Sequence, residues 1–128
     1  MSQILLIEPD RILAETYFQA LSQAGHTVVP CASAQSAIIS SDHTRPDLVI
    51  LELQLIEHSG IEFLYEFRSY SDWQNIPVII HSLVPGLEFI KNKNILQKQL
   101  GVVKYLDKNR TTLQQLVKAV NEYLVVKV

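Results

Sequence analysis

Residues 46–60 read PDLVILELQLIEHSG, and they decide the fold. Pro46 and Asp47 open the stretch as turn residues. The four aliphatics Leu48, Val49, Ile50 and Leu51 follow without a polar break. A strand that is apolar on both faces is covered on both faces, which points to a parallel sheet between helices. The run then ends in a carboxylate, Glu52. A charge at the end of a doubly buried strand needs a partner, because an unpaired buried charge is costly.

Four further short apolar runs occupy residues 4–7, 28–29, 78–80 and 102–103. Helical spacing fills the gaps between them. After Asp10, which is placed to cap a first helix, come Leu13, Tyr17, Ala20, Leu21 and Ala24, with Gly25 as a stop. Ser33 is placed to cap a second helix through Ile38 and Ile39. Ile61, Leu64 and Phe67 mark a third. Phe89, Ile90, Leu96 and Leu100 mark a fourth, made irregular by Lys91-Asn92-Lys93-Asn94. Thr112 and Gln115 have capping-box spacing ahead of Leu113, Leu116, Val117, Val120 and Leu124. Strand followed by helix, five times, with right-handed crossovers, predicts a doubly wound α/β domain around a five-stranded parallel sheet. That pattern fills residues 1–128 as a single domain, either whole or cut from something longer. Trp73, in the polar stretch SDWQN, is expected to be a loop residue covering the end of the third helix.

The totals exclude several classes. Hydrophobic residues make up 48% and charged residues 19%, which is a globular rather than a disordered balance. The net charge of −2 carries no basic surplus, so no nucleic-acid contact is expected of this domain. No apolar run approaches the roughly 20 residues of a membrane span, and MSQILLIEPD lacks the basic start of a signal peptide. One cysteine, Cys31, allows no disulfide within the chain. A cytoplasmic location is the expectation.

In a doubly wound sheet, ligands sit beyond the carboxyl ends of the strands. Glu8, followed by Pro9 and Asp10, lies there after the first run. Glu52 lies after the third, His81 and Ser82 after the fourth, and Asp107 and Lys108 after the fifth. His26, His43, His58 and His81 lack the spacing of metal ligands, and His81 reads as a packed neutral histidine. The first strand–helix turn, EPDRI, has no glycine, and no GxGxxG or Walker pattern occurs. A nucleotide- or flavin-binding enzyme is therefore set aside, and no enzymatic activity is expected.

Taken together, ILLIEPD, PDLVILELQL with SGIEFL, IPVIIHS and GVVKYLDK resemble the receiver domain of two-component response regulators, from Ile4 to about Leu124. The resemblance implies a flavodoxin-like (βα)5 topology. It places Glu52 at the phosphoacceptor position, Glu8 and Asp10 in an acidic pocket, and Ser82 and Tyr105 at the switch positions. It places Lys108 at the lysine position. A Mg²⁺ ion would then draw on Glu8, Glu52 and the Gln54 carbonyl. The departures are as informative. Glu52 stands where the family has Asp, and Pro9 where it has a second acid. Asn109 and Ile56 replace prolines, and the segment from Ser82 to Lys108 is a few residues longer.

Mg²⁺ demands a strict oxygen geometry, so a lost acid and a lengthened nucleophile both count against phosphorylation. The reading is a pseudo-receiver that acts by protein contact and needs no cofactor. The alternative is a receiver still phosphorylated in a phosphorelay through a variant acidic site. Within the first reading, Glu52 either imitates the phosphorylated state, paired with Lys108 and Ser82, or keeps a paired charge in a retired pocket. Expected partners are proteins: a histidine kinase, a downstream effector, or a second copy through residues 85–124. That segment carries Lys91, Lys93, Lys98 and Lys104.

Overall fold

The computed structural model describes residues 2–86, 91 and 93–124. Its elements run β1 (Gln3–Ile7), α1 (Arg11–Gln23), β2 (Thr27–Cys31), α2 (Ala34–His43), β3 (Leu48–Leu51) and α3 (Gly60–Ser69). A 3₁₀ turn (Ser71–Trp73), β4 (Val78–Ser82), a π-helical segment (Ile95–Gln99), β5 (Val102–Asp107) and α4 (Leu113–Tyr123) complete the order. All strand pairs are parallel, in the order β2-β1-β3-β4-β5. This is the flavodoxin-like winding, whose direction switches between β1 and β3.

Successive strand residues face opposite sides, so each aliphatic run feeds two cores. Leu5, Ile7, Val49, Leu51, Val78 and Ile80 pack with Ala37, Phe63, Leu64 and Phe67 of α2 and α3. Ile4, Leu6, Leu48, Ile50 and Ile79 pack with Tyr17 and Leu21 of α1 and with Leu116 and Val120 of α4. Burying each such large side chain contributes about 1.5–3 kcal/mol before entropy is charged.

The helix starts follow the local chemistry. Asp10 accepts from the Ile12 and Leu13 N–H groups, both at 3.0 Å. Ser33 with Ser36, and Thr112 with Gln115, close reciprocal capping boxes. Ser59 accepts from the Glu62 N–H at 3.1 Å and starts α3. Gly25 sits at φ +96 just past the end of α1, a left-handed stop that L side chains disfavour.

Three expectations change. The runs at 28–29 and 102–103 are not covered on both faces, because β2 and β5 are the edges of the sheet. Pro30 of β2 is exposed, as an edge permits, and most of β5 is half-buried. Trp73 is a core residue rather than a loop cover: it is 4% exposed and stacks on Phe67 with centroids 5.0 Å apart. A lone aromatic in a polar stretch hid an inward-facing turn. Of the predicted fourth helix, Phe89 and Ile90 lie outside the described residues. Leu96 and Leu100 are buried, with the π-helical turn between them.

Candidate functional site

Strand pairing brings the two glutamates together. Ile7 pairs with Leu51, and the ladder continues one step as the Glu52 N–H donates to the Ile7 carbonyl at 3.0 Å. Glu8 and Glu52 thus leave adjacent strands at the switch point, where this winding opens a crevice. By the two-residue alternation they continue the rows Ile4–Leu6 and Leu48–Ile50, on the α1 and α4 side.

A bulge places the lysine. Val78 pairs with Val102, but Ile79 pairs with Lys104, so one residue of β5 is skipped. From there the pairs run to Ser82 and Asp107, and the Lys108 N–H donates to the Ser82 carbonyl at 2.9 Å.

The three charges form one buried cluster. The Lys108 ammonium contacts Glu8 Oε1 and stands 2.7 Å from Glu52 Oε1. The lysine side chain is 5% exposed and both carboxylates 3%. Glu52 Oε2 accepts from the Ser82 hydroxyl and from the Gln54 N–H at 3.1 Å. The Leu83 N–H reaches Glu52 Oε1 at 3.3 Å. Glu8 Oε2 accepts from the Asp10 N–H at 3.1 Å. Burial would push the Glu52 carboxyl up, but hydrogen bonds from Lys108, Ser82 and the Gln54 N–H outweigh it and hold it below 4.5. Burial would likewise depress Lys108, yet its bonds to Glu52 and Glu8 raise it above 10.5. The donors around Glu52 therefore favour the carboxylate, paired to an ammonium.

The hydroxyl relays outward. The Ser82 oxygen also accepts from the Val84 N–H at 3.1 Å, and the Tyr105 hydroxyl donates to the Val84 carbonyl. A continuous path joins Glu52, Ser82, Val84 and Tyr105. The Tyr105 ring is half-buried against the α3-side core. Behind the cluster, His81 is 3% exposed and meets Tyr17 edge-on, with centroids 4.9 Å apart. Burial, then the Lys108 charge, push His81 down to about 4, so it is neutral at ordinary pH.

The structure therefore brings Glu8, Glu52, Ser82, Tyr105 and Lys108 into one network. Asp10 enters only through its backbone, since its carboxylate is spent on the α1 cap. Tyr17 and the Leu83 N–H carried no signal in the sequence, because each is placed by packing or by backbone conformation.

The arrangement does not suit a divalent cation. Pro9 supplies no carboxylate. Both oxygens of Glu52 and both of Glu8 already hold hydrogen-bond donors or the ammonium. Among the described residues, no group of three or more His, Cys, Asp or Glu side chains is arranged to hold a metal ion.

A parallel 2-1-3-4-5 sheet with acids at the switch point and a lysine after the last strand defines a receiver. The family model described as response regulator receiver domain matches residues 4–121. The chain belongs to this family, a signalling module of two-component systems. It is 30% identical over 85 residues, 66% of this chain, to the probable transcriptional regulatory protein TcrX of Mycobacterium tuberculosis. It is 32% identical over 106 residues, 82% of this chain, to the transcriptional regulatory protein VxrB of Vibrio cholerae. The chain spans 36% and 39% of those two relatives. The chemotaxis protein CheY4 of Vibrio cholerae has the same fold, with a TM-score of 0.85, 20% identity, and 97% and 99% of the two chains covered. Among the described residues, no helix is long and apolar enough to cross a membrane.

Proposed function

We propose that this receiver domain works as a pseudo-receiver, passing its signal by protein contact without taking a phosphoryl group. The observation that carries the reading is the Lys108–Glu52–Ser82 triple contact. In the family, a phosphoryl group on the strand-three carboxylate is what engages the serine and lysine. Here the longer Glu52 side chain reaches both directly. Ser82 in turn holds the Val84 turn, and that turn's carbonyl holds Tyr105. This supports an imitation of the phosphorylated state over a merely retired pocket, because the contact extends to the switch aromatic. Histidine kinases and effector domains are the partners of receivers in general, and an effector contact is what this reading requires.

The test compares wild type with Glu52→Gln by two-dimensional NMR. The variant keeps the length and loses the charge. It should move the Tyr105 ring resonances together with the Leu83 and Val84 amides. Shifts confined to the immediate neighbours of residue 52, with the Tyr105 ring untouched, would refute the relay.

A further inference from the structure

We propose that the chain carries two complementary contact faces, an acidic groove between α2 and α3 and a basic groove between β5 and α4, through which one copy docks head-to-tail on the next. Neither groove is lined by a residue of the Glu8–Glu52–Lys108 cluster, so the inference stands apart from the pseudo-receiver reading.

Charge is divided along the chain. Residues 1–90 carry 3 Lys or Arg against 11 Asp or Glu, a net −8, and residues 91–128 carry 8 against 2, a net +6. The total of −2 hides this division. An asymmetry of this kind points to an electrostatic partner.

The fold turns the division into two surfaces. Between α2 and α3 lies a groove of about 550 Å³ in which Ile38, Ile39 and Phe63 supply apolar surface and Glu62 and Glu66 supply charge. Ile39 is 53% exposed, and both glutamates are exposed. Glu62 meets the His58 ring at 3.4 Å, and among the described residues no lysine or arginine pairs with either glutamate. Between β5 and α4 lies a groove of about 320 Å³ lined by Lys104, Arg110 and Lys118. Glu122 in its wall pairs with Lys104 at 3.6 Å. Arg110 and Lys118 are exposed and, among the described residues, meet no carboxylate.

The two faces fit each other chemically. Long cationic side chains lay aliphatic stems on apolar surface and keep their charged heads at its rim. Arg110 and Lys118 of one copy can so cover Ile39 of the next while their heads meet Glu62 and Glu66. Position then sets the kind of contact. α2 and α3 pack on one core and α4 on the other, so the grooves lie on opposite sides of the sheet. One copy cannot close on itself, and a two-fold pair cannot engage both grooves through one interface. Each contact leaves an acidic and a basic groove free, and such a heterologous arrangement grows by addition.

The experiment is sedimentation equilibrium of the full chain up to millimolar concentration. At low salt the mean mass should rise with concentration past that of two copies. The association constant should fall at least about tenfold between about 50 mM and 500 mM salt, because exposed charge pairs are screened. Glu62→Gln/Glu66→Gln alone and Arg110→Gln/Lys118→Gln alone should each stay monomeric. Mixed in equal amounts they retain one native groove of each kind, and they should form a pair that stops at two copies. These substitutions are at exposed positions, and the salt series on wild type needs no variant. A chain that is monomeric throughout at low salt overturns the inference and leaves the grooves to other proteins. Growth that stops at two copies in wild type also overturns it, since that is a two-fold contact. So does association that persists in either variant alone, or a mixture that stays monomeric.

Discussion

At Glu52 one methylene separates two kinds of chemistry. The Glu52 arm spans to both Lys108 and Ser82, and on the proposed pseudo-receiver reading a shorter acid would leave room there for an incoming group. Charge pairing at this depth couples stability to pH. Glu52 titrates below its ordinary 4.5 in the fold, so its contribution is present above that value and is lost as pH falls through the lower folded one. His81 acts in the same direction over a higher window. Its folded value is about 4 against an ordinary 6.5, so the unfolded chain takes up the proton first and stability declines from pH 6.5 towards 4. Lys108 marks the alkaline side: its folded value lies above 10.5, so its contribution holds below 10.5 and is lost as pH rises past the folded value. Urea unfolding at stepped pH should show an acid limb that begins near 6.5. His81→Leu should remove from that limb on the order of 3 kcal/mol. An unchanged limb in the variant would contradict the buried neutral histidine. The residue types were legible in advance, since acids, serine and lysine at strand ends are visible in the sequence. Their joint occupation of one ammonium was not, because it depends on side-chain reach across β1, β3 and β5.

The elements position these groups with little tolerance. Gly60 opens α3 where its N–H donates to the Leu53 carbonyl at 2.7 Å. A Cβ there would fall 2.8 Å from the Leu53 Cα and 3.0 Å from the Glu52 carbonyl oxygen. Those are backbone atoms, so the loop carrying Glu52 must shift. Gly60→Ala should therefore destabilise by about 1–3 kcal/mol, read by urea unfolding. It should also perturb the Ser82 and Lys108 amides, and a variant as stable as wild type with those amides in place would show that the loop yields freely. The same scale shows what sequence patterns convey. The long central runs at β1, β3 and β4 and the caps at Asp10, Ser33 and Thr112 were read from residue order, whereas the Ser59 cap of α3 was not. The edge strands were read as buried on both faces like the central ones, although their apolar runs, at 28–29 and 102–103, are the two shortest. The β4–β5 bulge was invisible, because skipping one residue changes pairing without changing composition. Arg68 was overlooked as well. Its half-buried guanidinium donates to the Leu100, Trp73 and Ile76 carbonyls and ties the end of α3 to two turns.

For the whole molecule, the doubly wound parallel sheet followed from the alternation of strand and helix, while the flavodoxin-like strand order was what the resemblance to receivers implied. Family membership extends over residues 4–121, so the fold and the receiver class stand together. The basic stretch is only partly as expected: Lys91, Lys93 and Lys98 are exposed, but Lys104 pairs with Glu122 at 3.6 Å. The central claim is that this receiver has exchanged phosphorylation for a fixed internal ion cluster. Its most direct measurement is the intact mass of the protein after incubation with acetyl phosphate and Mg²⁺, with Pro9→Asp/Glu52→Asp as the comparison. The account predicts an unchanged mass for wild type and a hydroxylamine-labile phosphoryl adduct on the double variant. A stoichiometric, hydroxylamine-labile adduct on wild-type Glu52 would contradict it.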